Sequence, residues 1–397
     1  MKLIADSQGK DIIDSCHGDP ECVGTIVRIS APAEVESLWR KLELSCNPSF
    51  FVTWSWIGPW ARLVKKNTEL YLFTAKANNS PVAMCFLTIS IAERLKGLIH
   101  SKQVMLNEYL NDHCNMITQY NGMLVNDKYA KSAWNCFYEC LMSWDRPWDE
   151  LAMSSISQDQ LEVVASACPG LSLDIDKVHK EWTVSLKPEF SDLKTLINEF
   201  KSKSRHQLRQ SIRNFEKELG AITLTAAATI ADAFTYFDAM GELHTKRWEK
   251  AGRAGSFANQ NWVNFHKEII RNEFSNGNIL LLAIKSGATD IGFLYGHIYK
   301  NVAYMQQTGF AAMELNILKP GYISHLYAMA FCAARGIEAY NLLPDEDSSY
   351  KRFFTAPGDS IFWVNFQKNN PKMRLEKYIR SVLGVIKNIL GSYKTAR

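Results

Sequence analysis

Residues 318–343 read LKPGYISHLYAMAFCAARGIEAYNLL, a pattern that indicates one helix followed by a short strand. Pro320 fits the first position of a helix, because a residue there needs no N–H for an intrahelical bond. Gly336 fits the position just after the helix, where a left-handed backbone ends it. Another strand, NVAYMQQTGF, precedes this segment. The order strand, helix, strand predicts a βαβ unit, whose helix N-terminus offers free backbone N–H groups to anionic ligands.

The segments that lead into this unit repeat an order seen earlier in the chain. A strand, two helices and two further strands precede it, at 221–227, 231–250, 261–274, 278–287 and 290–300. In the first half, an aromatic-rich helix at 47–66 precedes two strands within 69–93, which are rich in β-branched and aromatic residues around an Asn-Asn-Ser-Pro turn. The two halves are therefore expected to be a structural repeat.

The chain has 397 residues, 47% of them hydrophobic and 22% charged. Such a composition is typical of a folded globular protein and argues against disorder. This length predicts two domains, because single cores seldom exceed about 300 residues. We expect an N-terminal domain, a basic helical connector, a C-terminal domain and a basic amphipathic helix, at 1–189, 190–220, 221–368 and 369–397.

The net charge of +4, from 45 Lys+Arg against 41 Asp+Glu, is too small to predict a nucleic-acid-binding protein. Basic residues nevertheless cluster in the connector, where Arg205, Arg209 and Arg213 stand at steps of four and so on one helical face. This face is either a solvated linker or a contact for an anionic substrate, a cofactor phosphate or a membrane surface. The last helix packs its apolar stripe either on the protein or on a membrane surface.

Nine cysteines are scattered without a CxxC motif, which favours free thiols in a reducing, cytosolic compartment over disulfides or a zinc site. Cys136 and Cys140 stand four apart and His113 adjoins Cys114, so metal ligation is the alternative to buried free cysteines there. The N-terminus does not resemble a signal peptide, and no apolar stretch reaches the length of about 18 residues typical of a membrane span. We expect a cytoplasmic protein, with peripheral contact to a membrane as the remaining option.

Four segments of the second half together resemble a known family: ELHTKRWEKAGRAGSF, QQTGF, the stretch quoted first, and DSSYKRFF. They are similar to the acetyltransferase-like domain of the CelD/BcsL group, a branch of the GNAT superfamily related to FemAB-type transferases. The matching residues are Trp248, Gly252, Gly255, Phe257, Pro320, Gly321, Asp347, Tyr350 and Lys351. Lys319 and Asn341 depart from the pattern, which has Ser and Asp at those positions.

The resemblance implies an α/β (α+β) fold of tandem GNAT-like domains, each a mixed, mostly antiparallel sheet flanked by helices, with the N-terminal domain degenerate. It implies an N- or O-acyltransferase that uses acetyl-CoA or another acyl-CoA as co-substrate, without a metal. The acceptor would be a sugar, a glycan or a cell-envelope precursor in polysaccharide biosynthesis. Two alternatives remain: a FemAB-like transferase dependent on aminoacyl-tRNA, which would be a nucleic-acid partner, and a non-catalytic binding module in a polysaccharide synthase complex.

The resemblance also implies where the cofactor binds. Leu318, Lys319, Gly321 and Tyr322 lie where the phosphate-binding loop meets the helix N-terminus, and Lys319 adds a positive charge beside the positive end of the helix dipole. Lys351 is expected to contribute a second cation. The glycine-rich phosphate loop of many relatives is absent, so helix capping without a ligand is the structural alternative.

Tyr350 matches the tyrosine that protonates the departing thiolate in many GNAT enzymes, and packing on the sheet is its structural alternative. Asp345 and Asp347 are candidate bases for an incoming amine. Asp347 also fits the N-cap of the helix that presents Tyr350, which would explain an acid there without catalysis.

The helix at 231–250 contributes a third group of candidates. His244 is a candidate base, and Arg247 and Trp248 share its face and are expected to bind the acceptor. His297, on a strand, and His325, on the central helix, are further candidate bases, although single histidines in proteins are more often structural.

Overall fold

The computed structural model describes residues 4–5, 11–17, 22–66, 68–111, 114–116, 118–315, 317–346 and 350–395. The chain divides into two compact units: unit 1 is Met1–Val178 with Ile361–Arg397, and unit 2 is His179–Ser360. Of the helices within the described residues, none combines the length and the apolar composition that spanning a bilayer requires.

The strands are β1 (Ile4–Ala5), β2 (Asp11–His17), β3 (Val23–Arg28), β4 (Tyr71–Ala77), β5 (Ser80–Arg94), β6 (Ile99–Leu106), β7 (Tyr109–Asn111), β8 (Cys114–Met116), β9 (Leu124–Val125), β10 (Glu150–Ser157), β11 (Leu171–Lys180), β12 (Thr183–Ser185), β13 (Ile222–Ala226), β14 (Ile279–Ser286), β15 (Thr289–Tyr299), β16 (Val302–Phe310), β17 (Ala339–Asn341) and β18 (Ser360–Lys368).

The helices are α1 (Glu36–Glu43), α2 (Trp54–Lys65), α3 (Ala130–Ser143), α4 (Gln158–Ala167), α5 (Leu193–Glu199), α6 (Ser202–Glu218), α7 (Ile230–Lys250), α8 (Gln260–Glu273), α9 (Pro320–Ala333) and α10 (Pro371–Thr395). As expected from the sequence, Pro320 is the first residue of α9. Gly336, just beyond this helix, has a φ of 74°. A residue with a Cβ would be strained in this left-handed conformation.

Both units follow the same order of elements. Unit 1 runs β3, α1, α2, β4, β5, β6, α3, β10, with β7–β9 inserted before α3, and unit 2 runs β13, α7, α8, β14, β15, β16, α9, β17. In each unit the crossover helix α3 or α9 joins a parallel pair, β6 with β10 or β16 with β17. The meanders β4–β5–β6 and β14–β15–β16 are antiparallel. The expected fold class is confirmed: two mixed, mostly antiparallel sheets, each flanked by helices.

The unit boundaries differ from those expected from the sequence. β18, expected to close the second domain, pairs antiparallel with β10 in the sheet of unit 1, whose order is β1-β2-β3-β4-β5-β6-β10-β18-β11. β12, expected in the first domain, pairs with β17 in the sheet of unit 2, whose order is β12-β17-β16-β15-β14-β13. β18 therefore belongs to the sheet of unit 1, and β12 belongs to the sheet of unit 2.

The expected connector is also part of unit 2. Leu196 on α5 and Leu208 on α6 are buried in the same apolar core as Trp182, which precedes β12. A chain segment that contributes large buried side chains to one core belongs to that core, because these side chains supply its hydrophobic stabilisation. The basic residues of α6 therefore lie on the outer face of a packed helix.

In unit 1, Cys136 and Cys140 fill space over Gly24. A Cβ at Gly24 would lie 2.5 Å from Sγ of Cys136 and 2.7 Å from Sγ of Cys140. Both thiols are buried. This packing gives the pair a structural role, and the described residues include no group of His, Cys, Asp or Glu arranged to hold a metal ion. His113 lies outside the described residues.

Candidate active site

Unit 2 contains a cleft of about 530 Å³ where α9 begins. Its walls come from the last turns of α7, the end of β16, the N-terminus of α9 and Tyr350, with Gln207 of α6 at one side. The described lining includes no Asp, Glu or His. Among the described lining residues, charge and hydrogen bonding therefore come from cations, backbone groups, hydroxyls and the amide of Gln207.

The sheet opens at this point because β16 and β17 pair over only a short length. Their parallel register covers Val302 to Tyr304 of β16, whereas β16 continues to Phe310. The register between β15 and β16 also shifts after Met305, so that Gln306 is an extra residue in the strand. A bulge of this kind bends a strand and redirects the side chains beyond it. The end of β16, which is paired with β15 but extends beyond its pairing with β17, lines the cleft.

The N-terminus of α9 points its free backbone N–H groups toward this space. Pro320 has no N–H, and the N–H of Ile323 bonds to the carbonyl of Lys319 at 3.1 Å. Gly321 and Tyr322 are the first residues of the helix whose N–H groups have no partner one turn earlier. Gly321 also lies close to Phe310. A Cβ at this position would be 3.2 Å from the Phe310 ring, so there is little room for a larger residue. These two N–H groups and the helix dipole favour an anion.

Four cations line the cleft. Lys246, Arg247 and Lys250 follow the spacing of three and four along α7, and Lys319 stands at the N-cap of α9. The N–H of Lys319 bonds to the hydroxyl of Ser211 on α6 at 3.1 Å, which holds the loop before α9 in place. With no carboxylate among the described lining residues, these charges give the cleft a positive potential that attracts anionic ligands.

A hydrogen-bonded chain connects the cleft to the core of unit 2. The hydroxyl of Tyr350 lies 3.4 Å from Nε2 of His325, and Nδ1 of His325 lies 2.8 Å from the hydroxyl of Tyr340. His325 and Tyr340 are each 0% exposed, whereas Tyr350 is 46% exposed. The chain therefore runs from a fully buried tyrosine through a fully buried imidazole to a tyrosine that faces the cleft.

The partners of this chain assign its protons. The buried hydroxyl of Tyr340 bonds to Nδ1 of His325, and a buried O–H left without an acceptor costs free energy. Tyr340 therefore donates to Nδ1, so that the proton of the neutral imidazole is on Nε2. The N–H at Nε2 donates to the hydroxyl oxygen of Tyr350. Tyr350 can therefore donate its own proton to a group bound in the cleft.

The protonation states agree with this assignment. Burial, with the nearby charge of Lys351, lowers the pKa of His325 to about 3, so the imidazole is neutral at physiological pH. Burial raises the pKa of Tyr350 to about 12, aided by the charge of Asp345 and opposed by Arg247. Tyr350 is therefore protonated at neutral pH and can donate a hydrogen bond.

The turn between β17 and Tyr350 is held by its own polar contacts. Leu343 has a φ of 64°, a rare conformation for a residue with a branched side chain. Its N–H bonds to Oδ1 of Asn341 at 2.7 Å, and its carbonyl accepts from Nζ of Lys351 at 3.0 Å. Nδ2 of Asn341 donates to Oε1 of Glu181 at 3.0 Å. Since an Asp could not make this last bond, Glu181 explains the Asn at a position where the resembled family has Asp.

The sequence-predicted residues divide into two groups. Tyr350, Lys319, Gly321, Tyr322 and Arg247 line the cleft together. Lys351 does not line it, because its ammonium is buried and bonded to the Leu343 carbonyl and, at 3.2 Å, to Oδ2 of Asp345. Asp345 is likewise outside the lining, and Asp347 lies outside the described residues. Leu318 is buried in the apolar core beside the cleft.

His244 and Trp248 are not among the residues that line the cleft. The ring of His244 lies 5.3 Å from that of Phe257 and 5.8 Å from that of Trp248. A Cβ at Gly255 would lie 2.4 Å from the His244 ring, so this glycine makes room for it. Burial lowers the pKa of His244 to about 4. His244 and Trp248 thus belong to an aromatic cluster that positions α7.

Sequence reasoning missed two parts of the site. The cation row of α7 is visible as basic residues at 246, 247 and 250, and only Arg247 was singled out. The partnership of Tyr340 with His325 joins residues 15 positions apart on a strand and a helix. No local spacing predicts this pair, because it depends on how α9 crosses the sheet.

Part of unit 2 matches a known protein family. Residues 202–352 match the family model described as "Acetyltransferase (GNAT) domain". No curated protein matches the sequence. Among solved structures, FemX has 11% identity to this chain and a TM-score of 0.55, and the alignment covers 88% of this chain and 99% of FemX. The fold described above is therefore shared with FemX over most of both chains.

Two other solved structures are less similar. L-PGS from Bacillus licheniformis has 9% identity and a TM-score of 0.49, covering 88% of this chain and 95% of that one. A tandem GNAT protein from the clavulanic acid biosynthesis pathway has 9% identity and a TM-score of 0.47, covering 87% of this chain and 99% of that one. The family match does not distinguish the CelD/BcsL type. The matched residues lie within unit 2 and include the start of α9 and Tyr350.

Proposed function

We propose that unit 2 transfers an acyl group from an acyl-CoA, with acetyl-CoA the first candidate, to an amino or hydroxyl group of a sugar, glycan or cell-envelope precursor. The observation that supports this most is the meeting of anion-binding and proton-donating groups in one cleft: the N-terminus of α9 and Tyr350 both line it. A CelD/BcsL-type role in polysaccharide biosynthesis follows from the sequence resemblance. The cytoplasm is the compartment that the scattered cysteines of the sequence favour.

The donor fits the cleft through its pyrophosphate. The N–H groups of Gly321 and Tyr322 would hold phosphate oxygens at the positive end of the α9 dipole. Lys319 and the cations of α7 would neutralise the remaining charge. When bound, the acyl-CoA supplies an activated thioester whose acyl group leaves its sulfur as a thiolate.

Tyr350 would act on that sulfur. Its proton is available because the hydrogen bond from His325 Nε2 goes to the hydroxyl oxygen. As the bond between the acyl carbon and sulfur breaks, Tyr350 donates its proton toward the sulfur, and the His325 N–H stabilises the negative charge left on the Tyr350 oxygen. His325 is thereby a positioning residue, and Tyr350 is the catalytic acid.

No carboxylate among the described residues of the cleft is placed to deprotonate the acceptor. The described lining contains no Asp, Glu or His. Nearby positive charges disfavour an ammonium and so lower the pKa of an amine brought next to them. Any cation of α7 that the phosphates leave unpaired would therefore help an acceptor amine to bind in its neutral, nucleophilic form, and the proton lost after attack would pass to water.

Calorimetric titration with acetyl-CoA tests the proposal, followed by a thiol-release assay with amino sugars as acceptors. We expect binding that weakens as salt is raised, and release of free CoA that requires an acceptor. The control is the Gly321→Val variant, in which the added side chain would press on Phe310 and cover the two N–H groups. Failure of every CoA thioester to bind the wild-type protein contradicts the proposal.

The alternative is a FemAB-like transferase dependent on aminoacyl-tRNA, which the likeness to FemX keeps open at the level of fold. Under this alternative the arginines on α6 would contact RNA. Two of them also bond within the protein: Arg209 donates to Oδ1 of Asn198 at 2.7 Å and Arg205 to the Asn198 carbonyl at 3.1 Å. Salt-sensitive tRNA binding that is lost on reversing the charges of Arg205, Arg209 and Arg213 would favour the alternative. Binding of acyl-CoA without transfer would instead favour a non-catalytic module in a synthase complex.

A further inference from the structure

The helix α10 attaches to unit 1 through its polar face. Glu376 is 1% exposed, and its Oε1 accepts from Arg380 one turn later. Arg380 also pairs with Asp174 at 2.9 Å. Arg94 approaches Glu376 at 3.8 Å, and the ammonium of Lys372 pairs with Asp149. These contacts hold the first turns of α10 by hydrogen bonds and ion pairs, with Met373 as a buried apolar contact.

The apolar stripe of α10 faces away from this attachment. Leu375 is 54% exposed, Tyr378 69% and Val382 40%, at the spacing of three and four that marks one face of a helix. In the sequence, Val385, Ile386, Ile389 and Tyr393 continue the same spacing. An amphipathic helix on a protein normally buries such a stripe in the core. In the part of α10 whose side chains the structure describes, the polar face is held and the apolar face is exposed.

The charges of α10 indicate what covers the stripe. Its 25 residues include one acid, Glu376, which is buried. After Arg380 the sequence adds Lys387 and Lys394 and no acid. A second copy of the helix laid on the stripe would bring like charges together. An anionic surface that also accepts apolar side chains is complementary to both features, and the headgroup region of a bilayer with anionic lipids is such a surface.

We infer that α10 docks the protein on the surface of an anionic lipid bilayer. The stripe of Leu375, Tyr378 and Val382 enters the boundary between headgroups and acyl chains. Arg374, which is exposed and adjoins Leu375 at the edge of the stripe, contacts lipid phosphates, and the polar face remains attached to unit 1. This inference is independent of the proposed acyl transfer, because α10 belongs to unit 1 and the cleft to unit 2.

Sedimentation of the full chain with vesicles tests the inference. Two vesicle compositions are compared: phosphatidylcholine alone, and equal parts of phosphatidylcholine and phosphatidylglycerol. We expect the protein to pellet with the anionic vesicles and to be released by salt. The double variant Tyr378→Glu, Val382→Glu should lower the bound fraction about tenfold, because it places two acids in the stripe. Both side chains are exposed, so unit 1 should keep its fold, which circular dichroism checks.

The matched control is Leu44→Glu, which adds an acid at an apolar residue of unit 1 that is 89% exposed and distant in sequence from α10. It should pellet like the wild type. Equal pelleting of wild type and double variant overturns the inference, and so does equal binding of the wild type to both vesicle types. A concentration-dependent dimer in sedimentation equilibrium, absent in the double variant, would identify a second copy as the occupant and also overturn it.

Discussion

The hydroxyl of Tyr350 lies 3.4 Å from Nε2 of His325, whose other nitrogen is bonded to the buried Tyr340. Half-exposed tyrosines ordinarily have freedom of rotation about their side-chain bonds. Here the buried pair His325 and Tyr340 orients the hydrogen bond that the Tyr350 hydroxyl accepts. The direction in which Tyr350 can donate its own proton is thereby restricted. This relationship gives an exposed side chain the defined geometry that proton donation requires.

Tyr350→Phe should lower the rate of acyl transfer by about 100-fold or more, the range by which a positioned general acid accelerates such reactions. The affinity for acyl-CoA should change little, because the ring remains and only the hydroxyl is lost. Initial rates of CoA release and a calorimetric titration measure the two effects. The control, Tyr378→Phe, removes a hydroxyl from an exposed tyrosine of α10. Equal rates in wild type and Tyr350→Phe would rule out the acid role.

Tyr340→Phe tests the positioning role of the buried end of the chain. It leaves Nδ1 of His325 buried without its donor, which should reduce the free energy of unfolding by about 1–3 kcal/mol. Because either nitrogen of the imidazole can then carry the proton, the transfer rate should fall while KM is unchanged. Urea unfolding and steady-state kinetics measure these changes.

The behaviour of a second variant distinguishes positioning from loss of stability. Tyr295→Phe removes another fully buried tyrosine hydroxyl, which lies 3.2 Å from Nδ1 of His266. It should destabilise unit 2 to a similar degree without slowing transfer. A loss of rate that is the same in both variants would mean that Tyr340 acts through stability alone.

Lys246→Ala and Lys319→Ala should each weaken acyl-CoA binding several-fold, and about tenfold at most, because both side chains are at the open cleft and their charges are screened by solvent. The effect should shrink as salt is raised. Lys217→Ala is the control, since this lysine is exposed on α6 and pairs with Glu218 at 3.2 Å. Affinity for acyl-CoA measured at two salt concentrations tests this prediction. An unchanged affinity in both variants would mean that Lys246 and Lys319 do not contribute to donor binding.

Local patterns predicted most elements of the fold, because they depend on signals within one segment. Pro320 and Gly336 mark the ends of α9, and the meander β14–β15–β16 follows from β-rich runs separated by turns. The unit boundaries could not be predicted in this way. The sequence of β18 is that of a strand, and nothing within it shows that its partner is β10 of the first half.

The division of the chain predicts which fragment folds alone. Residues 179–360 include Trp182, Leu196 and Leu208, which are buried in the core of unit 2. A fragment of 221–368 lacks all three and ends with β18, a strand whose partner is in unit 1. We expect the first fragment to be a folded monomer and the second to aggregate, because it exposes apolar core and an unpaired strand. Size-exclusion chromatography and thermal unfolding compare them, and equal behaviour would contradict the observed boundary.

The site was predictable to the extent that its residues lie in one segment. Lys319, Gly321 and Tyr322 were identified at the start of α9, where a helix N-terminus implies an anion site. Residue type also made Lys351 a candidate for cofactor binding and His244 a candidate base. The sequence does not show the surroundings of these two side chains. Lys351 supports the turn at Leu343, and His244 packs against Gly255. Burial and partners across the fold decide such roles.

In unit 1, Glu108 is 1% exposed, and its Oε1 accepts a bond of 3.3 Å from the N–H of Thr118. Burial raises the pKa of Glu108 to about 7, with hydrogen bonds from Ser154 and Thr118 opposing the shift. The ordinary value is 4.5. A carboxyl whose pKa is raised by folding stabilises the folded state only at low pH, and this contribution is lost as the pH rises from about 4.5 to about 7.

Glu108→Gln should therefore stabilise unit 1 at pH 8 and have little effect at pH 4, because the amide is neutral at both and its oxygen can still accept from Thr118. A shift from 4.5 to about 7 corresponds to about 3 kcal/mol at most, since one pKa unit is about 1.4 kcal/mol. The melting temperature at pH 8 should rise by several degrees relative to wild type. Glu93→Gln, at an exposed acid of the neighbouring strand β5, should show no such dependence. A gain of the same size at both pH values would mean that folding does not raise the pKa of Glu108.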